Sequence, residues 1–90
     1  MDSQGFVRSI RQKLEPIAPV VLPAMIKKQL EVVGATEYNL TPELTKQFIK
    51  RMELALQMFL GPDGTKMAHQ MMLKEFRRCA PQYFAEQSLI

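Results

Sequence analysis

The feature that most constrains this chain is a helix start, Thr41-Pro42-Glu43-Leu44, followed by an apolar stripe and closed by Gly61-Pro62. The Thr41 hydroxyl can accept a hydrogen bond from a free N–H of the first turn. Pro42 suits the first helical position, where no N–H partner is needed. Glu43 puts negative charge at the positive end of the helix dipole. Leu44, Phe48, Met52, Ala55 and Phe59 then recur at spacings of four and three, and Ile49, Leu56 and Leu60 widen that face. Lys46, Lys50, Arg51, Glu53 and Gln57 take the other side. The spacing predicts an amphipathic helix of about five turns, because only a 3.6-residue period gathers these apolar groups on one face.

Other segments read the same way. Ser3 is the expected cap of a first helix with Phe6, Val7, Ile10 and Leu14 inward, which Pro16 either ends or bends. Prolines 16, 19 and 23 forbid a regular helix through 16–23, which reads as an apolar connector. Pro23 opens a second helix with Met25, Ile26, Leu30 and Val33 inward, and Gly34 stops it. A polar loop, 35–40, leads to the Thr41 helix. The Gly61-Pro62-Asp63-Gly64 sequence predicts a turn, with Asp63 or Thr65 capping a helix over 65–79. Its inward residues are Ala68, Met72, Phe76 and Cys79, with Met71 at the margin. Pro81 starts a short last helix whose apolar groups are Tyr83, Phe84, Leu89 and Ile90. No segment alternates like a half-buried strand. The expectation is an all-α fold, a small bundle of four to five helices with short loops and no sheet, in one domain over 1–90 whose ends, 1–3 and 87–90, fray.

Composition narrows the function classes. With 47% hydrophobic and 23% charged residues the chain can bury a core, so disorder is not expected. A net charge of +3 permits an acidic partner without demanding one. One cysteine, Cys79, cannot form an internal disulfide, and its place on the apolar stripe predicts a buried, unreactive thiol. The start Met1-Asp2-Ser3-Gln4 lacks the basic and apolar runs of a signal peptide. No apolar run approaches the roughly 20 residues of a membrane span. A cytoplasmic protein without membrane contact is expected.

Candidate chemistry is sparse. Scattered carboxylates give no acid–base pair, so no enzyme is expected and no catalytic residue is assigned. Met67, His69, Met71 and Met72 suggest a soft-metal site, but His69 lies about 200° from Met67 around a helix of 3.6 residues per turn. No metal or cofactor is expected. His69 reads as a surface residue without an orienting partner in sequence. Leu54 and Met58, four apart and off the core line, form a second apolar strip; such a helix is either central in the bundle or meets another chain. Lys66, Gln70, Lys74 and Arg77, bordered by Arg78 and interrupted by Glu75, form a basic stripe that is either a phosphate-binding face or simply solvated.

The run Pro23-Ala24-Met25-Ile26-Lys27-Lys28-Gln29-Leu30-Glu31, then Gly34 and Leu40-Thr41, resembles a small helical domain at the C-terminus of the light-independent protochlorophyllide reductase B subunit and in short stand-alone proteins. The resemblance covers about a fifth of the chain. It implies an all-helical accessory domain, with a longer gap after the glutamate than this chain has and no shared metal or catalytic residue. Taken together, the leading expectation is a protein–protein interaction or self-association module, a homodimer included, using Leu54, Met58, Phe84 and Ile90. The alternative is a nucleic-acid-binding domain using Lys66, Lys74, Arg77 and Arg78.

Overall fold

A computed structural model describes residues 1–88, with side chains through residue 86. Four helical elements follow one another: α1 (Ser3–Leu14), α2 (Leu22–Val32), α3 (Pro42–Cys79) and α4 (Pro81–Ser88). No strand occurs among the described residues.

The long element is not a rod. A straight helix of its 38 residues would span about 57 Å, yet the molecule's greatest extent is 38 Å. The break is a single residue, Gly61, at φ 68° and ψ −177°, a conformation essentially reserved for glycine. Two arms, 42–60 and 62–79, fold back on each other there. The four-residue turn expected over 61–64 is therefore a one-residue hinge. Helix resumes at once at Pro62, whose missing N–H suits the start of the second arm. Thr65 does not cap that arm; its hydroxyl donates to the Gly61 carbonyl at 2.6 Å.

Helix ends follow local chemistry. Thr41 caps α3 through its hydroxyl, which accepts from the Leu44 N–H at 3.2 Å. Gly34, at φ 76°, ends α2. The Ala35 N–H bonds Leu30 O and the Gly34 N–H bonds Glu31 O, the paired closure of a Schellman motif. Asp2, not Ser3, caps α1, its carboxylate accepting from the Gly5 N–H. Ser3 is instead buried, and its hydroxyl donates to Glu37 O and accepts from the Leu40 N–H. The Asp2 N–H bonds Cys79 O at 3.0 Å, so this end is tied down where fraying is expected from sequence.

The core forms where α1 and α2 pack on the two arms. Phe6 sits between them, edge-on to Phe48 of the first arm at 6.1 Å and to Phe76 of the second at 6.3 Å. Leu22, Ile26, Met52, Leu56 and Met72 are fully enclosed around it. The buried line of the first arm is Thr45, Phe48, Ile49, Met52 and Leu56, rotated slightly from the expected line. Leu44, Ala55 and Leu60 lie at its margin, and Phe59, expected inward, is 59% exposed, since full burial on this arm ends at Leu56. On α4, Tyr83 and Phe84 pack against Phe76, closing the far end.

Candidate functional site

Leu54, Met58, Lys66, Lys74, Arg77 and Arg78 all lie on α3. A hinge at residue 61 brings positions equally distant from it to the same level. Glu53 meets His69, Ile49 lines one hollow with Leu73, and Gln57 lines another with Thr65.

The apolar strip is exposed. Leu54 and Met58 lie opposite the buried line of the first arm and keep 56% and 87% of their surface in solvent. Phe59 adds apolar surface at the hinge. Phe84 does not join them. It is half-buried at the other end of the arms, 4.8 Å from Phe76 with the Arg77 guanidinium 5.7 Å above its ring. Ile90 and Leu89 lie outside the described residues. Ile17 and Val20, on the proline-rich connector, and Met67, on the second arm, are also exposed; the sequence reading assigned none of them to a surface. A core-facing pattern marks what a helix can bury, but not how far along it the core extends.

The basic face divides into two parts. Lys66, Lys74, Arg77 and Arg78 are all exposed. Lys74 and Arg77 line a groove of about 550 Å³ with Gln70, Met71, Leu73 and Lys13, the last brought in by α1. Arg78 is committed elsewhere: its Nε donates to Glu75 Oε2 at 2.8 Å and a terminal nitrogen donates to Ser9 Oγ at 2.8 Å. Glu75, a solvated stripe residue by sequence, is buried and also accepts from Lys13 Nζ. The Lys13 hydrogen bond, aided by Arg78, holds the Glu75 carboxyl below its ordinary range against the opposing effect of burial. This carboxylate joins α1 to the second arm.

His69 has an orienting partner after all. Its Nδ1 faces Glu53 Oε1 across the arms. Lys46, Lys50, Ile49, Leu73 and Phe76 complete the surrounding hollow. Cys79 is buried, and desolvation pushes its thiol above the ordinary value, which disfavours the reactive thiolate. No group of three or more His, Cys, Asp or Glu among the described residues is arranged to hold a metal. No helix among them is long and apolar enough to cross a membrane.

The segment that carries the protochlorophyllide reductase resemblance forms α2 and the following loop. No family model matches the chain, and neither a curated protein nor a solved structure matches it.

Proposed function

We propose that this protein is a small helical docking module that self-associates through the outer face of the first arm of α3. The observation carrying this reading is the exposure of Leu54 and Met58 on a helix whose opposite face already fills the core. Taking roughly 200 Å² for a fully exposed large side chain, Leu54 and Met58 present about 290 Å² of apolar surface on this face. That is close to the lower end of the range for the largest patches on monomers, which are often functional. It is about a third of what each partner buries in a standard interface, an apolar centre for a polar rim. An isologous pairing fits, because one helix face can meet its own copy across a two-fold axis.

Sedimentation velocity across a range of concentrations tests this. Wild type is expected to shift from monomer to dimer, and Leu54→Glu/Met58→Glu to remain monomeric with unchanged helical circular dichroism. A wild-type monomer at every concentration refutes self-association.

A second reading has one observation in its favour. Lys13, its charge paired with Glu75, lines one groove with Lys74 and Arg77, so basic residues that sequence spacing leaves in a line surround a concavity. Such a groove suits nucleic-acid phosphates. Binding to DNA or RNA at low salt, weakened by added salt and lost in Lys74→Glu/Arg77→Glu, would support it; absence of binding at low salt removes it. Arg78 is excluded from the test because changing it also disturbs Glu75.

A further inference from the structure

The hollow between the arms of α3 has a chemistry that docking does not use. His69 Nδ1 is shielded from solvent and faces Glu53, while the ring as a whole remains 36% exposed. Its other nitrogen, Nε2, is not among the buried unpartnered atoms and has no hydrogen-bond partner among the described residues. Nε2 therefore sits at the open edge. Glu53 Oε1 lies against Nδ1, so Nε2 is the ring nitrogen left toward the opening. Lys50 and Lys46 stand on the same side of the hollow, and Ile49, Leu73 and Phe76 supply its apolar lining. Lys50 has no ion-pair partner among the described residues, and Lys46 rests 5.1 Å from the Tyr83 ring centroid.

We propose that this hollow binds a small phosphate monoester, its phosphate held by Lys50, Lys46 and His69 Nε2 and its organic part resting on Leu73, with the buried Ile49 and Phe76 as the floor beneath. Two ammonium groups against one carboxylate leave net positive charge for an anion, and Glu53 is turned toward His69. A phosphate group loses its last proton at about pH 6, so near neutrality a single proton can bridge a phosphate oxygen and Nε2. The hollow measures about 290 Å³, at the small end of ligand sites, which suits a compact body of about one ring.

His69 is the chain's one histidine, so its ring resonances report on this site alone. The probes are phenyl phosphate, inorganic phosphate and phenol, titrated to millimolar concentrations while the His69 ring is followed by proton–nitrogen NMR. Phenyl phosphate is expected to shift the ring saturably, with inorganic phosphate binding more weakly for want of the apolar contact. Lys50→Gln, an exposed change that leaves the core intact, should weaken phenyl phosphate by about tenfold or more, the effect of losing one charge-assisted hydrogen bond. Lys74→Gln, in the separate basic groove, should leave it unchanged. The proposal is overturned if phenyl phosphate gives no saturable shift, if phenol binds as well, or if Lys50→Gln matches wild type. In those cases Glu53 and His69 only clasp the arms together.

Discussion

Replacing Glu75 separates the role of a buried charge from that of its partners. Glu75→Gln keeps the shape and removes the charge. Lys13 and Arg78 then lose an acceptor, but their side chains are 46% and 57% exposed and can be rehydrated. The loss is limited to charge-assisted hydrogen bonds, offset in part by the easier burial of a neutral amide, and comes to about 1–2 kcal/mol. In a domain of this size that lowers Tm by about 4–16 °C. The converse change is worse. Lys13→Met/Arg78→Met leaves a carboxylate buried without a counter-charge, which costs about 3–5 kcal/mol, a large share of a typical domain's stability. The pH dependence has a definite sign. The folded carboxyl titrates below its ordinary value of 4.5, so its stabilisation is complete above that value and disappears as pH falls through the lowered one. Urea denaturation should therefore show the gap between wild type and Glu75→Gln in full at pH 7 and closing in acid below about pH 4.5. Equal stability at pH 7, a gap unaffected by acid, or a double methionine variant more stable than Glu75→Gln would refute this reasoning.

Other changes test other joints. Gly61→Ala should destabilise by about 1–3 kcal/mol in chemical denaturation through backbone strain alone, since an added Cβ would meet nothing within 4 Å. A neutral result would mean that the hinge relaxes freely. Phe6→Ala should cost about 3–5 kcal/mol, because the ring bridges both arms and leaves a cavity between them; a Tm within a few degrees of wild type would contradict that placement. Ser3→Ala removes one buried hydroxyl that serves both Glu37 O and the Leu40 N–H, and should cost about 1–3 kcal/mol by thermal melting. Cys79 should resist a thiol reagent at neutral pH until denaturant is added; rapid labelling of the native protein would contradict its burial.

Much of the fold is written locally. Thr41, Gly34 and Gly61 act through their own backbone neighbourhoods, so the start of α3, the end of α2 and the reversal between the arms can be read from residue type and order. The core face of the second arm is legible for the same reason: Ala68, Met72, Phe76 and Cys79 keep one period and are all buried. The failures are non-local. Ser3 has the chemistry of a cap, but the loop at Glu37–Leu40 recruits its hydroxyl from 34 and 37 positions away. Glu75 looks solvated until α1 supplies Lys13 from 62 positions away. Exposure of Leu54 and Met58 depended on which side of α3 received the other helices, a choice that an apolar strip cannot reveal. The Glu53–His69 pair was within reach, since both stand eight residues from Gly61. Counting outward from the hinge identifies it once the hinge is treated as a single residue.

The bond from the Asp2 N–H to the Cys79 carbonyl has a bearing on how the protein is made. Translation proceeds from the end that carries α1, at about 5–20 residues per second. The residues that cover Phe6 from the second arm are synthesised some 70 positions later, a delay of roughly 4–14 s. Throughout that interval the nascent chain carries a greasy first segment with half of its shelter missing. A ribosome stalled near the hinge would thus display an adhesive intermediate, and only synthesis of the second arm lets Asp2 close onto Cys79.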